Sequence, residues 1–145
     1  MKKHTALLTL FLCLFVVTGA FGDEQKETIK LYESYVEASM KAQSLEELKP
    51  YLSQNNINQM SEITPDDEAA FLEIMREVRS TFKIEDISSK VEGNKATLTA
   101  KGTDATDPNT NVTGIITLVK ENGKWKLDNE DFTSEVVIES EPEQQ

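Results

Sequence analysis

The side chains best suited to acid-base, nucleophilic or soft-metal chemistry are nearly missing from this chain. It has one histidine, His4, and one cysteine, Cys13, and both fall within residues 1–22. Beyond that stretch there is no imidazole to serve as a general base, no thiol nucleophile, and no histidine or thiolate set for a metal. Carboxylates and phenols remain. Tyr32 or Tyr35 with a carboxylate such as Asp86 or Asp104 could move a proton next to a carbonyl, because burial raises a carboxyl pKa and a phenol can hold an oxyanion. Nothing in their spacing demands that pairing, and rings packed in a core with hydroxyls at its rim are the plainer expectation. Asp107-Pro108-Asn109-Thr110-Asn111 alternates oxygen-bearing side chains as calcium loops do. Val112 then stands where an EF-hand loop wants Gly, and Leu118 where it wants a bidentate Glu. The expectation is a solvated hairpin loop, with no metal and no cofactor. Asn111-Val112-Thr113 is a glycosylation acceptor only in a source that glycosylates secreted proteins.

The start of the chain carries an address. Lys2 and Lys3 precede an apolar run from Ala6 to Val17, and Thr18-Gly19-Ala20 relaxes it before charge begins at Asp23. The run is shorter than the roughly 18 to 20 residues a spanning helix needs, so a cleaved export signal is expected rather than an anchor. Ala20-Phe21-Gly22 places small residues where signal peptidase requires them, with the cut between Gly22 and Asp23. Leu10-Phe11-Leu12 before Cys13 lacks the small residue of a lipid-attachment motif. The mature protein is therefore expected in a periplasmic or extracellular space, with no stable membrane anchor and no disulfide, held by an ordinary hydrophobic core. The chain carries a net charge of -11, and removal of Lys2 and Lys3 makes the mature part more acidic. Nucleic acid and anionic lipid select basic patches, so neither is an expected partner.

Three helices and then an antiparallel meander must position whatever chemistry there is. Ile29, Tyr32, Val36 and Met40 recur at helical spacing, with Tyr35 beside them, and predict an amphipathic helix from Asp23 to about Ala42. Ser44-Leu45-Glu46-Glu47 has the form of a capping box opening a short helix with Leu45, Leu48 and Leu52 on its apolar edge. The polar run Gln54 to Gln59 is expected to end or break it. Thr64-Pro65-Asp66-Asp67 opens a third helix, whose stripe is Phe71, Met75, Val78 and Phe82. After Phe82 come short β-branched runs with turn pairs at Gly93-Asn94 and Asn122-Gly123. A two-residue turn at Asn122-Gly123 sets Leu118 opposite Leu127 and Lys120 opposite Trp125, so that Ile116, Leu118, Trp125 and Leu127 share one face. The other face carries Ile115, Thr117 and Val119 and is a candidate surface for pairing with a second copy. A scatter of β-formers on one exposed sheet accounts for it equally well. Ser134 to Gln145 reads as an acidic tail in which Val136, Val137 and Ile138 are able to dock as a last strand.

The stretch Val91-Glu92-Gly93-Asn94-Lys95-Ala96-Thr97-Leu98, then Ile115 to Val119, then Glu121-Asn122-Gly123-Lys124-Trp125-Lys126-Leu127, resembles small exported proteins of the nuclear-transport-factor-2-like superfamily, especially its lumazine-binding-like members of unknown function. The resemblance implies an α+β cone fold of the cystatin-like kind, with N-terminal helices packed on the concave face of a bent antiparallel sheet. It implies an interior that sometimes holds an apolar ligand, and dimers through the outer sheet face. Enzymes of that superfamily often place Tyr, Asp and His inside the cone, and this chain departs from the His-dependent pattern.

The expected organisation is a signal peptide over 1–22, a cone-fold domain over 23–133 and a tail over 134–145. The expected function is a non-catalytic binding module for a small apolar ligand or a protein partner, lined by Tyr32, Tyr35, Phe71, Met75, Leu118 and Trp125. A lyase or isomerase using a Tyr and a buried carboxylate is the alternative from catalysis, and the lack of His and Cys weighs against it. An acidic chaperone or inhibitor of a basic partner is the alternative from charge.

Overall fold

A computed structural model describes residues 20–137, with side chains from Gly22 onward. The N-terminal apolar run and residues 138–145 lie outside the described residues. Helix α1 (Ala20–Lys41) is followed by a 3₁₀ segment (Leu45–Tyr51), α2 (Gln54–Met60) and α3 (Glu68–Ser80). Strands β1 (Phe82–Glu92), β2 (Lys95–Asp104), β3 (Thr110–Glu121) and β4 (Lys124–Val136) complete the chain. The strands form one antiparallel sheet in the order β1-β2-β3-β4. Among the described residues no helix is long and apolar enough to cross a membrane.

The two turn pairs close two-residue hairpins by different routes. At Asn122-Gly123 both residues take positive φ, 50° and 77°, as the tightest turn of this kind requires. At Gly93-Asn94 only Gly93 does, at 60°, which is the turn that needs glycine at its first central position. Leu118 pairs with Leu127 and Lys120 with Trp125, and Ile116, Leu118, Trp125 and Leu127 are all buried.

Two register shifts bend the sheet, since an extra residue in one strand kinks it and adds twist. One lies between Ile84 and Asp86 of β1, beside Gly102, where a Cβ would sit 1.9 Å from the Lys83 carbonyl oxygen. The other lies opposite Thr117 and Leu118 of β3, where Asp128 is the extra residue of β4. It reverses the alternation of β4. Trp125 and Leu127 face the helices before it, and Glu130 and Phe132, paired with Ile116 and Gly114, do so after it.

The helices depart from the expected pattern in instructive ways. The buried line of α1 runs through Thr28, Tyr32, Tyr35 and Ser39 and on to Ala42 just past its end, while Met40 is exposed and Ile29 and Val36 are half-buried flanks. Small hydroxyl residues can sit at the centre because their polar atoms are satisfied locally: Thr28 Oγ1 donates to the Gln25 carbonyl at 2.8 Å and Ser39 Oγ to the Val36 carbonyl at 2.7 Å. The Ser44 capping box does not form. Glu47 Oε1 instead accepts from the Gln43 amide at 3.2 Å, and the segment is 3₁₀ rather than α-helix. Pro50 inside it has no amide hydrogen to donate. The polar run Gln54 to Gln59 is itself most of a helix, α2, started by Ser53, whose hydroxyl accepts from the Asn56 amide at 3.2 Å.

Helix α3 begins at Glu68, because Thr64 to Asp67 is spent on a turn closed by Asp67 and Glu68 amides on the Thr64 carbonyl. Its buried residue is Leu72, and Phe71 and Val78 of the expected stripe are exposed. Phe82 has left the helix to open β1. Strand β4 continues through Ser134 and Glu135 to Val136, which pairs with Thr110, so the first residues expected in the tail belong to the sheet.

Candidate functional site

Between the concave face of β4 and the helices lies an open cavity of about 480 Å³. Tyr35 of α1, Leu48 and Leu52 around the 3₁₀ segment, Asn56, Gln59 and Met60 of α2, and Phe71 and Met75 of α3 form its walls. Glu130, Asn129 and Leu127 of β4 form its floor, and Glu62 and Ile63 complete the lining. A second chamber of about 280 Å³ shares Phe71, Met75 and Glu130 with it and continues along Ile74, Val78, Arg79, Phe82 and Phe132. The larger volume falls within the range that holds a small organic ligand.

The floor is held in place by Ser53. Its amide donates to the Leu127 carbonyl at 2.8 Å, its hydroxyl donates to Asp128 Oδ1 at 2.7 Å, and Asn56 Nδ2 donates to the same Leu127 carbonyl at 3.0 Å. Ser53 is fully buried. The start of α2 is thus fastened to the residue that re-phases β4, and that re-phasing turns Glu130 toward the helices.

Glu130 is doubly engaged. Tyr32 donates its phenol hydrogen to Oε1 at 2.9 Å, and Arg79 NH2 donates to Oε2 at 2.8 Å. The Glu130 and Arg79 side chains retain 19% and 11% of their exposure, so this is a largely desolvated ion pair. The Arg79 guanidinium also lies 4.8 Å from the Tyr35 ring centroid. Burial, and after it the Glu130 carboxylate, push the Tyr32 phenol well above its ordinary range, and the same causes raise Tyr35. Burial works to lower Arg79, but the Glu130 carboxylate outweighs it and the guanidinium is raised. Tyr32 is therefore a fixed donor, and a proton taken up by Glu130 would break a buried ion pair. The arrangement presents a held acceptor rather than a free base.

Of the residues expected to line the cone, Tyr35, Phe71 and Met75 border the cavity. Tyr32 lies beneath it as a partner of Glu130. Leu118 and Trp125 do not border it: both are buried further along the sheet, where Lys120 stands 5.1 Å from the Trp125 ring centroid and pairs with Glu24. Neither Asp86 nor Asp104 supplies the carboxylate. Asp86 is exposed on β1, and Asp104 is spent on its own loop, accepting from the Thr106 hydroxyl at 2.6 Å and the Thr106 amide at 2.7 Å. Those bonds, the Thr106 hydroxyl first, lower its pKa. Asp107 closes the same loop onto Asn109 and Thr110. Glu130 escaped the sequence reading. Its only signal is the change from odd-numbered apolar residues, Trp125 and Leu127, to even-numbered Phe132, which requires a bulge between them.

No protein-family model matches the chain, and no curated protein sequence does. Solved structures do. An NTF2-like protein of unknown function from Shewanella baltica superposes with a TM-score of 0.51 at 15% identity, over 81% of this chain and 98% of its own. A putative dehydratase of the NTF2-like family from Streptomyces avermitilis gives a TM-score of 0.48 at 13% identity, over 81% of this chain and 99% of its own. Helices on the concave side of a bent four-stranded antiparallel sheet, superposing on the Shewanella protein, give this chain an α+β cone fold like that of this NTF2-like protein.

Proposed function

We propose that the protein is an exported, non-catalytic binding module whose cone takes a small, mainly apolar ligand. The observation that carries this reading is the 480 Å³ cavity over a carboxylate whose two oxygens are already bonded to Tyr32 and Arg79. The walls contributed by Leu48, Leu52, Met60, Phe71 and Met75 supply the apolar surface that makes burial of such a ligand favourable. Export follows from the address in residues 1–22, with the mature chain starting at Asp23 in the periplasm or outside the cell. A lyase or isomerase reading draws on the same Glu130 beside Tyr32 and Tyr35. It requires the Glu130 carboxylate to be neutralised beside the buried Arg79 guanidinium whenever it accepts a proton, and that loss of counter-charge favours binding over turnover.

Fluorescence titration with Nile red, a neutral apolar dye, tests the reading. Saturable enhancement is expected, and Met75→Trp, which puts a ring between the two chambers, should abolish it, while Ile115→Ser on the outer sheet face should leave it unchanged. Enhancement that survives Met75→Trp would overturn the reading.

A further inference from the structure

The cavity's polar groups are not a neutral assortment. Its lining includes two carboxylates, Glu62 and Glu130, and no lysine or arginine. Arg79 approaches Glu130 from the smaller chamber, so the larger one is bordered by the carboxylate and not by the guanidinium. The nearby cations are committed elsewhere: Lys49 to Glu46, Lys126 to the Pro50 carbonyl, and Arg76 to the Ala42 carbonyl. The amide nitrogen of Asn56 is used on Leu127, which leaves its side-chain oxygen as an acceptor. Each Glu130 oxygen, having accepted one hydrogen bond, keeps capacity for another. A net charge of -11 deepens the negative potential that a low-dielectric cleft focuses. Tyr35 and Phe71 add aromatic surface, which attracts cations and repels anions.

We propose, resting on the binding reading above, that the ligand class of this cavity is a lipophilic amine: an ammonium head that donates to Glu130 and Asn56, with an apolar body along Leu48, Leu52, Met60 and Met75. The head brings the positive charge that the lining lacks, and the remaining capacity of the Glu130 oxygens lets it bond there without displacing Tyr32 or Arg79. A fatty acid or other apolar anion would place its charge against two carboxylates with no cation on the cavity wall. A neutral alcohol offers one donor and no charge.

The experiment is displacement of bound Nile red from the full chain by three molecules of equal chain length: octylamine, octanol and octanoate, at neutral pH and low salt. Octylamine should displace the dye at a concentration about tenfold below that of octanoate, with octanol between them. Glu62→Gln, at an exposed position that leaves the Glu130 pair intact, should narrow the gap between amine and acid severalfold, as should raised salt. If the dye binds and the three displace it equally, or octanoate is best, the amine assignment is overturned and the binding module stands. If the gap persists unchanged in Glu62→Gln and at high salt, the preference does not arise from these carboxylates and the assignment is again overturned. If the dye does not bind, both fail together.

Discussion

The Ser53 hydroxyl donates to the Asp128 carboxylate at 2.7 Å, across 75 positions of sequence. The first residue of this pair starts a helix and the second is the extra residue of a strand, so one bond ties the wall of the cavity to its floor. Without the re-phasing at Asp128, Glu130 would point to the outer face of the sheet.

Ser53→Ala removes both this bond and the cap of α2. A loss of about 1–2 kcal/mol is expected, read as a lower urea midpoint with an unchanged slope. In a double-mutant cycle with Asp128→Ala the two losses should be less than additive. Nile red affinity should fall more in Ser53→Ala than in a surface control of equal stability loss, because the position of Glu130 depends on the tie. Additive losses would contradict the coupling.

The Arg79–Glu130 pair should behave as a buried ion pair. Arg79→Met leaves Glu130 charged and without its guanidinium, at a cost of about 3 kcal/mol or more. Adding Glu130→Leu should recover most of that stability while weakening the preference for octylamine. A single Arg79→Met change that costs nothing would mean that the pair is hydrated and interchangeable.

Tyr32 gives the fold an alkaline limit. Burial and the Glu130 carboxylate raise its pKa above the ordinary 10.0, so the folded state holds the phenol proton more tightly than the unfolded state does. That contribution is fully present below pH 10.0 and declines as pH rises beyond it, because only the unfolded chain then gains by releasing the proton. Tyr35, raised in the same direction, adds to the slope. Urea midpoints should hold steady to about pH 9 and then fall. Tyr32→Phe should be less stable at neutral pH by about 1–2 kcal/mol and show a shallower alkaline decline. A parallel decline in wild type and variant would remove Tyr32 from this role.

Gly114 marks a place where the sheet has no room for a side chain. A Cβ there would lie 2.4 Å from the Phe132 ring, which packs at 13° to Phe82 with centroids 5.1 Å apart. Gly114→Ala should cost about 1–3 kcal/mol, and in the Phe132→Ala background the same change should cost much less. Equal costs in the two backgrounds would show that the clash is relieved elsewhere.

The sheet was the legible part of this protein. Asn122-Gly123 set the register of β3 against β4 as far as Leu118 and Leu127, since turn chemistry is local and the alternation of Ile116, Leu118, Trp125 and Leu127 supports it. The helical half was less so. Apolar spacing centred α1 on Ile29, Tyr32, Val36 and Met40, and of these Tyr32 is buried, but the rest of the buried line passes through Tyr35 and through Thr28 and Ser39, whose hydroxyls bond to their own backbone and present little bulk. The polar string before Met60 gave no apolar face to read, and α2 exists because Ser53 caps it and Leu127 receives it. Glu130 was hidden for a related reason. Its neighbours Asp128, Asn129 and Asp131 are all polar, so the sequence shows no face for it to occupy until the bulge is located. Its partners, Tyr32 and Arg79, are 98 and 51 positions away.

Whether the cone holds a ligand can be read by native mass spectrometry of the protein purified gently from the cells that make it. A reproducible extra mass that disappears on denaturation is predicted, together with its absence from Met75→Trp purified in the same way. A clean apo protein, or an extra mass that the Met75→Trp variant keeps, would contradict the account.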